Sequence, residues 1–204
     1  MSLVNVMHSA ESCEHYTPSP IVEAAKATFK EDIDLDPASS KTANKIVKAK
    51  RFFTKEDDGL SKTWVAENVF LNPPGGKLKN QSYAALFWDK LWQAHLRGSV
   101  KQALFVGFSL EILSKRAGTI LDFPICVPHA GRKTPDFITG SGRIMFLTPE
   151  LIPNRSPTHG NIIVYLPPFK YPEDYRGNKN VFEYDEDSIL RFASNFNSIG
   201  KIKL

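Results

Sequence analysis

Only two cysteines, Cys13 and Cys126, occur in the 204 residues. They form no C-x-x-C pair, so neither a disulfide framework nor a four-cysteine metal site is available. Cys13 and His15 have a ligand-like spacing, but no second pair closes a tetrahedral shell, and no metal is expected. A glycine-rich phosphate loop is also missing. The single G-x-G, Gly140-Ser141-Gly142, lies between proline-containing loops instead of opening a helix after a strand, which argues against a dinucleotide fingerprint. No apolar run has the length needed to span a bilayer. The N-terminus lacks a basic region followed by an apolar core, so no secretory signal is expected. The chain reads as cytoplasmic. Its charged and hydrophobic fractions, 24% and 42%, are those of an ordinary globular protein, and its net charge of +4 leans mildly towards acidic partners.

Alternation of strand-like and helical segments fills the first 120 or so residues. Helical spacing runs from Ser19, read as a cap with Pro20 at the first position, to about Lys30, with Ile21, Ala24, Ala25, Thr28 and Phe29 on one face. Asp32 to Asp36 alternates like a strand and stops at Pro37. Residues 41–50 are weakly helical, Arg51–Thr54 reads as a strand, and Asn68–Leu71 as another. A helix follows from Ser82 to Gly98, then an apolar central strand over Gln102–Phe108, then a helix capped by Ser109 and stopped by Gly118. Beyond it come short strands at Phe123–Val127, Arg143–Leu147 and Asn161–Leu166, and a helix over Glu186–Asn197 with Ile189, Phe192, Ala193 and Phe196 inward. The pattern predicts an α/β fold with a mostly parallel sheet and an antiparallel edge. Residues 1–13 are expected to be a flexible start and 14–169 the domain. Residues 170–204 are expected to be an extension that ends in a helix packed on it.

The stretch Phe70-Leu71-Asn72-Pro73-Pro74-Gly75-Gly76-Lys77 concentrates the chemistry. A residue before proline is pushed out of the helical region, so Asn72 and Pro73 are both held extended, and Pro74 has no N–H with which to fold the turn back. The Asn72 side-chain carbonyl and the Pro73 main-chain carbonyl thus become two acceptors on a stiff frame. Such a pair suits an amino group with two hydrogens to donate, and needs no reorganisation as charge develops. A second strand runs into a double proline at Leu166-Pro167-Pro168. Its junction residue has no side-chain acceptor, so that copy is read as structural.

Four blocks in order, HYTPSPIVEAA, DIDLDPASS, RFFTKEDDGLSKTW and NVFLNPPGGK, resemble the phage-type DNA N6-adenine methyltransferases. Weaker similarity continues through GRIMF and HGNIIVYLP. The resemblance implies a Rossmann-like methyltransferase fold, S-adenosyl-L-methionine as cofactor, DNA as partner and methyl transfer to the exocyclic amine of adenine. On it, Asn72, Pro73 and Pro74 match the catalytic segment. Tyr16, Thr17 and Pro18 match a block near the cofactor, and Asp34 and Asp36 an acidic strand end suited to ribose hydroxyls or an ammonium. Phe53 is placed against the cofactor's adenine and Asp58 as acceptor for its amine. The family's fourth catalytic position is usually an aromatic that stacks on the extruded base, worth roughly 1–3 kcal/mol; here it is Gly75. Tyr83 and Phe108 are the rings that stand in for it, or Gly75 and Gly76 let the backbone approach the base. RNA, a protein glutamine amide, and a silent DNA-binding role remain alternatives. For substrate phosphates and bases the candidates are Gly75, Gly76, Lys77 and Lys79 after the turn, and Arg132, Lys133 and Arg143 in the later loop. Nothing in the sequence speaks to oligomeric state.

Overall fold

The computed structural model describes residues 15–131, 133–170 and 183–204. The expected flexible start (1–13), Cys13 and Arg132 lie outside these residues. In chain order the elements are α1 (Ser19–Phe29), β1 (Leu35–Asp36), α2 (Asn44–Val47), β2 (Arg51–Phe52), β3 (Ala66–Leu71), β4 (Lys77–Leu78), β5 (Gln81–Ser82), α3 (Tyr83–Leu96), β6 (Val100–Gly107), α4 (Ile112–Ile120), β7 (Ile125–Pro128), β8 (Ile162–Leu166), β9 (Phe169–Lys170), β10 (Glu183–Tyr184), α5 (Glu186–Phe196) and β11 (Gly200–Lys203). Among the described residues no helix is long and apolar enough to cross a membrane.

Seven strands form one sheet in the order β11-β7-β8-β6-β3-β1-β2. β2, β1, β3 and β6 are mutually parallel, β8 is antiparallel to β6, β7 to β8 and β11 to β7. Five strands therefore run one way, and β8 and β11 run against them. The expected antiparallel side exists, but its first reversed strand, β8, sits inside the sheet between β6 and β7. From β1 the chain steps outward to β2, then crosses back past β1 to β3 and on to β6. The direction of winding thus reverses between β1 and β3, and in open α/β sheets a crevice opens at the carboxyl ends on either side of such a reversal.

Side-chain alternation along the central strands serves two cores. Val69, Leu71, Ala103 and Phe105 face Phe87, Trp88 and Leu91 of α3. Phe70, Leu104 and Val106 face Ile21, Ala25 and Phe29 of α1 and Phe192 and Phe196 of α5. Each such ring or aliphatic chain taken from water contributes about 1.5–3 kcal/mol, which holds the helices to both faces and fixes strand register. A polar ladder crosses one face inside this packing. Tyr165 donates to Gln102 Oε1 at 2.6 Å, Gln102 donates to Asn68 Oδ1 at 2.9 Å, and Asn68 donates to the Asp32 carbonyl at 3.0 Å. Burial pushes the Tyr165 hydroxyl up to about 12.

Several local expectations need correction. Ser19 is the first helical residue of α1 rather than its cap, a place held by Pro18, which has no hydroxyl to offer. Ser109 does bond an amide, that of Glu111 at 3.2 Å, yet α4 starts only at Ile112 and runs past Gly118 to Ile120. The absence of any atom within 4 Å of a Cβ built on Gly118 shows an exposed helical glycine, not a stop. Arg143–Leu147 makes isolated bridges, Ile144 with Ile138 and Leu147 with Tyr16 and Pro153, because each neighbour is itself a loop. Of the α5 inward face, Phe192 and Phe196 are buried, while Ile189 and Ala193 are only half-buried. The chain continues beyond α5 into β11, which pairs with β7, so the final segment ends in a strand. Its Gly-Lys-Ile-Lys carries a single apolar residue, too little alternation to betray an edge strand.

Candidate active site

β3 delivers Asn72 to the carboxyl rim of the sheet. Leu71, its last residue, is paired with Phe105 of β6, and beyond Asn72 the chain meets Pro73 and Pro74, which have no N–H to continue the ladder. The Asn72 amide nitrogen donates to the main-chain carbonyl of His15 at 2.6 Å. That bond fixes the amide plane and leaves Oδ1 as the uncommitted end. Among the described residues no donor bonds the Pro73 carbonyl. Neither of the two acceptors read from the sequence is therefore taken by a donor among the described residues.

Around this turn lies a cavity of about 600 Å³. Its wall includes Tyr16, Thr17, Asp36, Phe53, Asp58 and the Asn72–Lys77 run, so most of the sequence-expected residues converge there from five separate segments. Asp36 ends β1, the strand hydrogen-bonded to β3, and lies on the far side of the winding reversal from Asn72. The turn after β2 closes the cavity over Asp36. Gly59 packs so tightly on Pro37 that a Cβ there would collide with the Pro37 carbonyl oxygen. Trp64 Nε1 holds that turn by donating to the Gly59 carbonyl at 2.9 Å, and Lys90 does so by donating to the Leu60 carbonyl at 2.7 Å.

The wall carries unmet polar capacity. Asp36 is 3% exposed, accepts from the Ala38 amide at 3.2 Å and has no cation beside it among the described residues. Burial pushes its carboxyl up to about 7, against the smaller opposing pull of the nearby Ser39 hydroxyl and the Ala38 amide. Ser39 Oγ and Thr17 Oγ1 are buried without a well-formed partner. Buried hydroxyls and carboxyls left like this are costly in isolation and are normally satisfied by something else. The arrangement can receive a ligand that brings donors to Asp36 and hydrogen-bonding groups to Thr17 and Ser39.

His15, Ser39 and Lys55 also line the cavity and were not anticipated from the sequence. His15 stacks on Phe108, with ring centroids 4.4 Å apart and planes 15° from parallel. Burial and, less strongly, His159 lower its pKa. Of the two rings considered for the missing aromatic, Tyr83 is in the cavity wall, its Cδ2 4.0 Å from a Cβ built on Gly76. Phe108 is instead the underside of the His15 stack. No local sequence signal marks His15 or Ser39, because their relevance depends on which strand ends the topology brings together.

Other expected residues fall elsewhere. Asp34 bonds the Lys50 ammonium at 2.8 Å and the Asn68 amide at 3.0 Å, and lines a separate cleft with Ala66 and Ser99 near the amino ends of β3 and β6. Because β1 is only two residues long, Asp34 and Asp36 lie at its opposite ends. Pro18 is buried at the start of α1, outside the cavity wall. Lys79 is exposed on the β4–β5 hairpin, Lys133 is an exposed loop residue, and the Arg143 guanidinium donates to the Pro157 carbonyl at 3.1 Å; none of the three lines the cavity. The double proline after β8 lies at the opposite rim from Asn72, since β8 runs antiparallel to β6.

A family model described as DNA N-6-adenine-methyltransferase (Dam) matches residues 7–187 of the 204. No curated protein matches the chain.

Proposed function

The chain belongs to the DNA N-6-adenine-methyltransferase (Dam) family, and from that premise we propose that it methylates the exocyclic amine of adenine in DNA, with S-adenosyl-L-methionine as donor and Asn72 and Pro73 as the catalytic acceptors. The observation that carries the reading is the oriented Asn72 amide, bonded through its nitrogen to His15, with Oδ1 and the Pro73 carbonyl left open beside the cavity. The doubly wound order around β1 and β3 supports a Rossmann-like cofactor site at that reversal.

The cavity wall fits the cofactor's chemistry. With the cofactor bound, Asp36 would accept from ribose hydroxyls or the methionine ammonium, Thr17 and Ser39 would supply hydroxyls, Phe53 would lie against the adenine, and Asp58 would accept from its amine. When bound, S-adenosylmethionine supplies an electrophilic sulfonium methyl. The target adenine's amino group donates its two hydrogens to Asn72 Oδ1 and the Pro73 carbonyl, which turns the nitrogen lone pair out of ring conjugation. Asn72 Oδ1 and the Pro73 carbonyl would hold the amine in that orientation while the bound cofactor supplies its methyl, and the surplus proton on nitrogen would leave to water. Tyr83, against Gly76, supplies the stacking face absent at Gly75. Lys55 and Lys77 at the rim meet phosphates. No side chain needs to act as a nucleophile or permanent base; the rate comes from orientation and preset acceptors.

Incubation with methyl-labelled S-adenosylmethionine and unmethylated plasmid DNA, followed by digestion to nucleosides, tests the reading. The expected product is N6-methyladenine. Label in cytosine, or label accepted only by RNA or protein, overturns it.

A further inference from the structure

The segment after the Asn-Pro-Pro turn folds as a small hairpin that belongs to neither core. β4 and β5 pair Lys77 with Ser82 and Leu78 with Gln81, and Lys77 through Gln81 are all exposed. Its base is clamped. The Tyr83 amide donates to the Gly76 carbonyl at 3.1 Å, and Ser82 Oγ caps α3 by accepting from the Ala85 amide at 3.3 Å. Successive strand residues point to opposite faces, so Lys77 and Ser82 share one face and Leu78 and Gln81 the other. Lys77 lines the cavity rim, which makes its face the cavity-side one and leaves Leu78 and Gln81 on the outer face. Leu78 is 48% exposed, and of the exposed large hydrophobics among the described residues it is the one that adjoins a cavity-lining residue in the chain.

A base drawn into the cavity leaves a gap in the duplex stack and a partner base with unpaired donors and acceptors. Both are costly, and an apolar side chain in the gap reduces the cost. Resting on the methyltransferase reading above, we propose that the β4–β5 hairpin is the strand-separating wedge: Leu78 fills the gap left by the target adenine, and the Gln81 amide bonds the orphaned thymine. The hairpin then stands between the flipped nucleotide, on its Lys77 face, and the duplex, on its Leu78 face. Lys79 at the turn meets the adjoining phosphates. Leu78 and Gln81 are positioning residues in this scheme and touch no reacting atom.

The test uses duplex oligonucleotides that carry the sequence found methylated in plasmid DNA, with the target adenine either paired or facing an abasic gap. Leu78→Ala is expected to slow methylation of the paired duplex by about tenfold or more and of the gapped one by less than about twofold, since an adenine without a partner leaves no base pair for the wedge to separate. Equal losses on both duplexes, or none on either, overturn the proposal. A second readout does not depend on turnover: in Leu78→Trp, the added indole fluorescence is expected to be quenched by stacking on plasmid DNA, beyond any change in wild type. Unquenched emission with DNA bound refutes the wedge. If wild type transfers no methyl to adenine, the methyltransferase reading fails, and the quenching experiment still decides the hairpin's role.

Discussion

Asp36→Asn separates the cost of the site from its use. The carboxyl is buried without a cation, and its pKa rises from 3.8 to about 7. A carboxyl with a folded pKa above its unfolded one holds an extra proton in the native state between those values, so the unliganded protein loses stability as pH rises through that window. The penalty is negligible below pH 4 and complete above pH 7, where three pK units correspond to about 4 kcal/mol. Integration gives roughly 2 kcal/mol at pH 5 and about 4 at pH 8. Asparagine keeps an oxygen for the Ala38 amide, and its NH2 can donate to the nearby Ser39 hydroxyl. The variant without ligand is therefore expected to melt higher than wild type, and by more at pH 8 than at pH 5. At roughly 2–4 °C per kcal/mol for a chain of this size, the gap at pH 8 reaches about 8–16 °C. Saturating S-adenosylmethionine should raise the wild-type melting temperature but barely move the variant's. Melts at both pH values, with and without cofactor, check all of this. A variant less stable than wild type at pH 8, or a gap that ignores pH, would show that the carboxylate is already compensated in the free protein. Undiminished cofactor binding would remove Asp36 from the site.

Three other substitutions probe separate parts of the scheme. Asn72→Ala should lower kcat by at least about a hundredfold, the scale on which losing one preset hydrogen-bonding group slows other enzymes, with cofactor affinity by calorimetry changed little; full activity would reduce the turn to a strand end. Gly59→Ala forces the β2 turn off Pro37 and is expected to cost about 1–3 kcal/mol in denaturant unfolding and to weaken cofactor binding with it. Tyr165→Phe leaves Gln102 Oε1 without its donor and should destabilise by about 1–3 kcal/mol while cofactor affinity stays unchanged, because the ladder lies away from the cavity wall.

The parts of the site readable from sequence are those whose chemistry is local. Proline restricts the residue before it whatever the fold, so Asn72 could be picked out at once, and Leu166 set aside for want of an acceptor. Helical spacing in α1 and α3 survives for the same reason: burial on one side of a helix repeats every turn. What could not be read is set by topology. Asp34 and Asp36 have the same local pattern, yet a two-residue strand puts one against Lys50 and the other into the cavity. β11 has almost no alternation and exists because β7 offers it an edge. His15 enters the site through a strand end more than fifty residues away in the chain.

That last contact has a consequence for genetics. The group that orients Asn72 is a carbonyl of the main chain, and every amino acid carries one. Exchanging the imidazole at position 15 leaves the acceptor in place, so a side-chain scan will pass over the very atom that aims the amide. The Asn-Pro-Pro turn is instead vulnerable to changes of path: an insertion or deletion between His15 and α1, or loss of the Tyr16–Leu147 pairing that pins this segment, would misdirect Asn72 without altering a single residue of the motif.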